Sequence, residues 1–537
     1  MTSLRPYSNV RLAIPGDPLA HDTELASPTV SAEEEAKALG ARNRLVIGLL
    51  LGSAFVVILN ETIMGVALPQ LIEDLQITAS TAQWLTAAFM LTMAVVIPIT
   101  GYLLQRFHSR PLFITAMSLF VAGTAVAAVA PGFTILLVGR ILQASGTAIV
   151  FPLLMTTVMS LVPPATRGRM MGNISIVMSV APAIGPTISG LILSVFNWRF
   201  MFIFVLPIAV GALVLGVVLM KNISEPSAGK VDILSIVLSA LGFGGLVYGL
   251  SVAGTARNAL ELALPIAVGV ISLALFTWRQ LALQKENRAL LDLRTLRSAN
   301  FTLSIVMFAI SMMAMFGVIV LLPIYMIDAL GLPVVNVGLL LLPGGLVTGL
   351  LAPIVGRFYD RVGPRIPLIT GATLVSADLW AMAMLLTVDS SWAMVLVTHL
   401  LLSIGLSLLF TPLFTASLAS LKPQFYSHGS ALLSTVQQVA GAAGTALFVT
   451  VYSSQLIALQ ADGVSNASAT AAGIHTALML GAVISLAGIV VSLFIRKPAD
   501  EPAMAPGGED LEAEVPEISA TEVASEAFPA DVAGGIR

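Results

Sequence analysis

Cysteine is absent from all 537 residues, which excludes disulfides, thiolate metal sites and cysteine nucleophiles. Charge is scarce as well. Asp, Glu, Lys and Arg together make up 10% of the chain, against about 25% in a soluble domain. No Gly-Lys-Ser/Thr phosphate loop is visible, so no signal points to ATP as the energy source. HExxH and other metal-ligand spacings are missing, and no nucleophile–base set marks a membrane enzyme. The expectation is a chain without enzymatic activity, metal or other cofactor. What is abundant is apolar surface. Hydrophobic residues reach 57% and mean hydropathy is +0.95, values that point to lipid rather than water as the main solvent.

A helix needs about 20 apolar residues to cross the hydrocarbon core. Fourteen such runs occur, near 44–68, 82–104, 111–130, 133–159, 171–195, 200–220, 231–253, 260–281, 301–327, 334–358, 366–387, 392–418, 429–456 and 474–496. The first 43 residues are polar and loop-like, with Pro15, Pro18, Pro28 and the run Glu33, Glu34, Glu35. They do not read as a signal peptide, and they are expected to be disordered or loosely helical, like the acidic Pro/Ala/Glu-rich segment 497–537.

The scarce charges are unevenly placed. With the N-terminus in the cytoplasm, the inside segments hold the great majority of Arg and Lys, among them Arg106, Arg110, Arg167, Arg169, Arg361 and Arg365. The outside loops hold only Arg199 and Arg257. This is the positive-inside pattern. It predicts both termini in the cytoplasm. Basic patches of this kind set topology and give no reason to expect nucleic acid as a partner.

An internal repeat is legible. GYLLQRFHSR, Gly101 to Arg110, follows the second run, and GRFYDRVGPR, Gly356 to Arg365, follows the tenth. Arg140 and Gly146 recur as His399 and Gly405, and Gly185 recurs as Gly444, a shift of 259 residues each time. The fold expected is therefore all-α and integral to the membrane: a six-helix bundle over 44–220, two inserted helices and a linker over 221–300, and a pseudo-symmetric six-helix bundle over 301–496. Two such halves place a substrate site at their interface near the midplane.

Within the runs a few polar residues stand out. Glu61 puts a carboxylate inside the first span, which costs roughly 2.5–3.5 kcal/mol on insertion scales. A carboxylate out of water can exchange a proton near neutral pH. The alternative is that Glu61 lies near enough to the outer end to meet water and only caps or pairs. Arg140 is always charged and cannot carry the proton itself. It either tunes a neighbouring carboxylate or pairs with backbone carbonyls. Asp378 falls mid-span, and so is either functional or buried in the bundle. Gln437 and Gln438 are expected to line a cavity or bridge helices. His399 is either a neutral hydrogen-bonder or a titrating group. Met307, Met312, Met313 and Met315 read as filler more than as a ligand surface, Asp328 as interfacial, and Trp84 as an interfacial anchor.

These motifs resemble those of the fourteen-helix drug:proton antiporters of the major facilitator superfamily, over about 44–496. The first helix of that family resembles L-D-x-T-I-x-x-V-A-L-P. Here Leu59, Thr62, Ile63, Val66, Ala67, Leu68 and Pro69 match, but Asn60 holds the acidic position and the carboxylate has moved to Glu61. One residue turns a helix by about 100°. RILQASG resembles R-x-x-Q-G-x-G, with Arg140, Gln143 and Gly146 matching. The antiporter pattern in the fifth helix is kept at Gly172, Gly185, Pro186 and Gly190, with Ala181 and Ser189 replacing glycine. Small residues there permit close helix approach, and Pro182 and Pro186 bend the helix. The cytoplasmic loop motif is kept at Gly356, Asp360, Arg361, Gly363 and Arg365. Its first copy keeps Gly101, Arg106 and Arg110 but has Gln105 in place of the acid, which weakens any latch there.

The resemblance implies secondary active export of amphipathic drugs or toxic compounds by alternating access, from a bacterial cytoplasmic membrane. The energy source implied is the proton gradient: one charge falling through 100 mV yields about 2.3 kcal/mol. Glu61, Arg140 and Asp378 are the implied proton-coupling set. Asn60, Gln143, His399, Gln437 and Gln438 are the implied substrate cavity, and the loop and fifth-helix motifs the gating parts. Implied partners are an amphipathic small molecule, protons and the lipid bilayer. Export of an endogenous metabolite, lipid or peptide-like product would use the same parts. A non-transporting receptor or scaffold is the remote alternative.

Overall fold

A computed structural model describes residues 29–222, 232–252, 258–286 and 288–497. The expected tail at 1–28, everything from 498 onward, Lys230 and Arg257 lie outside the described residues. Fourteen helices are long and apolar enough to cross a membrane, and no strand occurs among the described residues. They are α1 (Thr29–Asp74), α2 (Ala79–Arg106), α3 (Ser109–Ala128), α4 (Phe133–Leu161), α5 (Arg167–Leu193), α6 (Arg199–Leu219) and α7 (Ile233–Ser251). Then follow α8 (Ala259–Leu283), α9 (Ala299–Ile324), α10 (Val334–Val362), α11 (Arg365–Leu385), α12 (Trp392–Ala419), α13 (Tyr426–Ala461) and α14 (Asn466–Ser492).

The starts and stops have local causes. Thr78, Ser391 and Ser465 sit at N-caps and accept from the backbone N–H three residues on, which satisfies a donor the helix itself cannot. Gly363 ends α10 at φ 79°, a left-handed conformation that favours glycine, and its N–H returns to the Tyr359 carbonyl. This explains the glycine within the loop motif. Of the two states expected for the segment before the first span, residues 29–43 take the helical one and are continuous with α1. The segment is rich in Ala, Glu, Lys and Leu, all strong helix formers, and it extends a helix already nucleated in the membrane.

The repeat is visible in the packing. On α4, a Cβ on Gly146 would lie 2.3 Å from the Ala116 carbonyl oxygen of α3. On α12, a Cβ on Gly405 would lie 3.1 Å from the Val375 nitrogen of α11. Both pairs are thus related by the same shift along the chain. Gly185 lets α5 approach α1, and Gly444 lets α13 approach α9. The halves α1–α6 and α9–α14 meet along two seams, α5 with α10 and α2 with α13. The inserted pair α7–α8 packs together through Gly242, Gly245, Gly249 and Gly269, and α7 lies on both α2 and α13. Trp84 stacks on Tyr248 of α7 at 5.7 Å. Met307 and Met312 are core, and Asp328 is exposed in a π-helical turn that extends α9.

One face of the array carries the arginine-rich ends: the end of α2, the starts of α3 and α5, and the α10–α11 turn. It is the basic end below. At the opposite end Asp74 accepts from Trp198 Nε1 (2.8 Å) and from Arg199 Nη1 (3.1 Å), which ties down the arginine expected to lie outside.

Candidate functional site

Asn60 and Glu61 are neighbours on α1 that face different surroundings. The 100° turn between them sends Asn60 into the N-terminal half, where it is 0% exposed. Glu61 keeps part of its surface open although it lies deep in the molecule. Of the ion pairs among the described residues, none involves Glu61. Arg140 is the charge that acts on it, from α4, without pairing with it.

Arg140 is held by neutral partners. Its Nε donates to the Leu85 carbonyl of α2 (3.3 Å) and its Nη1 to Gln143 Oε1 (3.1 Å), while the guanidinium lies 4.2 Å from the Phe89 ring centre. Gln143 Nε2 in turn donates to Thr124 Oγ1 of α3 (2.9 Å) and to Asn60 Oδ1 (3.3 Å). A charge 1% exposed is costly unless hydrogen-bonded, and this network supplies the bonds across four helices. Asn60 and Gln143 therefore do not line a cavity in this conformation. Both are fully buried, because the position one residue before Glu61 points at α4. The sequence offered no signal for Thr124, Leu85 or Phe89 as members of this network.

In the C-terminal half His399 is the positional counterpart of Arg140. Its Nε2 lies 3.2 Å from the Leu341 carbonyl of α10. The two residues thus make the same kind of contact, α4 to a carbonyl of α2 and α12 to a carbonyl of α10. His399 Nδ1 has no partner. Asp378 is 2% exposed and neither carboxylate oxygen is hydrogen-bonded. It belongs to the interior of the C-terminal half and is not brought to Glu61. Gln437 and Gln438 on α13 are half-buried, and Gln438 reaches Met93 on α2 across the seam, 3.7 Å from its sulfur.

Toward the basic end the halves are joined. Asp360 on α10 accepts from the backbone N–H of Gly168 and of Arg169, each at 2.8 Å. These are first-turn donors of α5, where a negative charge also meets the helix dipole. A Cβ on Gly356 would sit 2.2 Å from the Gly168 oxygen, so this approach requires glycine. At the other seam Gln105 Nε2 donates to the Gln424 carbonyl before α13 (3.3 Å), and Gly101 faces Ala431. Gln105, at the position corresponding to Asp360, brings no carboxylate there. Two hydroxyl pairs also bridge the halves, Thr156 with Ser430 (2.8 Å) and Thr411 with Ser175 (3.0 Å). Phe151 meets Phe414 edge-on at 6.1 Å between α4 and α12. Of the arginines at this end, the half-buried Arg106 lies over Tyr102 (5.1 Å), and the exposed Arg361 and Arg365 flank the α10–α11 turn.

The fifth-helix motif divides in two. Gly172 meets the Ala352 carbonyl and Gly185 meets Thr62 Oγ1, and neither has room for a Cβ. Gly190 has nothing within 4 Å, so its place in the motif is not one of close approach. Pro182 and Pro186 lie inside a helix that continues through both.

Comparison with known proteins bears on this geometry. The family profile of the Major Facilitator Superfamily matches residues 50–445. The chain is 40% identical over 455 residues to the uncharacterized MFS-type transporter YcnB of Bacillus subtilis, covering 84% of this chain and 95% of that one. It is 40% identical over 458 residues to the lincomycin resistance protein LmrB of Listeria monocytogenes, covering 84% and 96%. Among solved structures, the human organic anion transporter MFSD10 superposes with a TM-score of 0.61 at 14% identity, over 84% of this chain and 99% of that one.

Proposed function

The chain belongs to the major facilitator superfamily, a family of membrane transporters rather than enzymes, and from that premise we propose that it exports amphipathic drugs or toxic compounds in exchange for protons. The observation that carries the reading is Glu61. It is a carboxylate deep in the molecule with open surface, within the field of an arginine yet paired with nothing. A carboxylate locked in an ion pair is poorly suited to give up and regain a proton. Here Arg140 is satisfied by the Leu85 carbonyl, Gln143 and the Phe89 ring instead.

Asn60 has a defined part in this reading. An acid at position 60 would face Gln143 and draw Arg140 toward itself. The amide gives Gln143 a neutral acceptor, so Arg140 is not drawn to position 60, and leaves the proton-exchanging role to position 61. Asp378 has no surface open to water, so exchange there needs a larger rearrangement, and Glu61 is the primary carrier. The half-buried Gln437 and Gln438 offer polar groups beside the seam to an amphipathic ligand. Asp360 gripping the start of α5 serves as the latch of the state closed at the basic end. The basic end faces the cytoplasm in this reading, because the arginine excess is there.

Drug export is supported by the relative named for lincomycin resistance. Resistance profiling of cells that express the chain, with and without an uncoupler, tests it. The expected result is raised tolerance to a set of amphipathic antibiotics, abolished by the uncoupler. Tolerance that survives the uncoupler overturns proton drive.

A further inference from the structure

The linker between α8 and α9 looks like an ordinary solvated connection in sequence, ALLDLRTLR from Ala289 to Arg297. In the structure it is buried: Leu290, Leu291, Asp292 and Thr295 are all 3% exposed or less. Leu290 and Leu291 form one apolar cluster with Tyr102 of α2, Phe276 of α8 and Ala431 of α13. The linker thus sits where α2 and α13 meet at the basic end, the seam where Gln105 stands in the place that Asp360 holds at the other.

It is tied down on both sides. On the side of the inserted helices, Gln280 Oε1 accepts from the N–H of Leu290 (2.7 Å) and of Leu291 (3.3 Å), and Gln280 Nε2 donates to Ser235 Oγ (2.7 Å). Ser235 is bonded to Asp232, which Arg279 grips with two bonds of 2.7 Å. That guanidinium holds the Asp232 carboxyl down to about 2. On the other side, Arg294 is paired with Asp292 and lies 5.4 Å from the Phe425 ring centre. Ser298 donates to the Ser420 carbonyl (3.2 Å), and the buried His428 faces the backbone of Leu290. One segment therefore joins α7–α8 to α2 and to the start of α13.

We infer that residues 289–298 are a strap that clamps α2 to α13, so that the inserted helices α7 and α8 restrain opening of the basic end. The strap stands in for the carboxylate that Gln105 lacks. One seam is held by Asp360 and the other by buried leucines anchored on Gln280. The inference rests on transport by movement of the two halves. It depends neither on proton coupling nor on the identity of the substrate.

The absence of cysteine permits a direct test by single-cysteine labelling. Ser434→Cys, near-isosteric and at a hydroxyl without a partner, reports on the strapped seam. Ser175→Cys reports on the α5 side, where Ser175 meets Thr411. Each is introduced into the full chain, and its rate of reaction with a membrane-impermeant maleimide is measured in inside-out vesicles. The strap is then loosened by Leu290→Ala with Leu291→Ala, and independently by Gln280→Ala, which leaves the leucines in place. Both versions are expected to raise the labelling rate at both reporters by about tenfold, within the ~5–150-fold range of typical couplings. A rise at Ser434→Cys alone would mean that the segment only covers its neighbours, and would overturn the restraint. No rise at either position overturns the strap itself. Because the readout needs neither substrate nor proton gradient, its failure is distinct from failure of the proposed export.

Discussion

Asp360 and Gly168 belong to different halves of the molecule and are joined by a 2.8 Å bond from the Gly168 N–H to a carboxylate oxygen of Asp360. The second oxygen takes the Arg169 N–H. Hydrogen bonds to charged groups are worth about 1.5–3 kcal/mol each, reduced here because the site is half-exposed to solvent. Asp360→Asn keeps one acceptor and loses the charge. Transport is expected to fall several-fold with membrane insertion intact, because the arginines that set topology remain. Gln105→Ala, which removes a neutral side chain bonded to the Gln424 carbonyl at 3.3 Å and takes away no charge, is expected to have the smaller effect. Equal losses in the two variants would refute the asymmetric latch.

The glycines of the motifs separate into two classes. Gly356→Ala and Gly185→Ala would each place a methyl 2.2 Å from an oxygen, of Gly168 and of Thr62 respectively. The first meets backbone and cannot be relieved by a rotamer change, so transport should be largely lost. Gly190→Ala meets nothing within 4 Å and is expected to preserve transport, with a gain of up to about 1 kcal/mol in helix stability. Thermal unfolding in detergent and transport rates check both. A severe defect in Gly190→Ala would contradict the geometry.

The Arg140 network should behave as a unit. Gln143→Ala removes partners from Arg140, Asn60 and Thr124 at once. Leaving a buried charge under-satisfied costs about 3 kcal/mol or more, so a clear loss of thermal stability is expected. Asn60→Asp is expected to draw Arg140 toward position 60 and to shift the pH dependence of transport. An unchanged pH profile in Asn60→Asp would show that positions 60 and 140 do not communicate.

Topology is open to a simple measurement. In the proposed orientation, fourteen spans among the described residues place both ends on one side, and the arginine excess assigns that side to the cytoplasm. A reporter fused after Arg537 is expected to be active as a cytoplasmic fusion. A periplasmic signal would contradict the orientation.

Much of the fold was legible because lipid simplifies the pattern. Long apolar runs have one reading, and the repeat is carried by glycines that the packing still uses, as Gly146 against Ala116 and Gly405 against Val375 show. Contacts between distant elements were not legible. Nothing local tells Asn60 that it faces Gln143, since the direction of a side chain is decided by which helix packs against its face. The burial of Leu290 and Leu291 was hidden in the same way, because two leucines among arginines look like any loop until α2 and α13 close over them. The helical start of α1 was one of two readings its composition left open, since strong helix formers share the segment with a run of like charges.

In the proposed mechanism proton-driven export depends on Glu61, and substrate-evoked proton release in proteoliposomes measures that dependence directly. Glu61→Gln keeps the shape and hydrogen-bonding capacity but cannot titrate. The expected result is that substrate binding persists while proton release is abolished, with Asp378→Asn retaining it. Unchanged proton release in Glu61→Gln would contradict proton carriage at this residue and move it to Asp378.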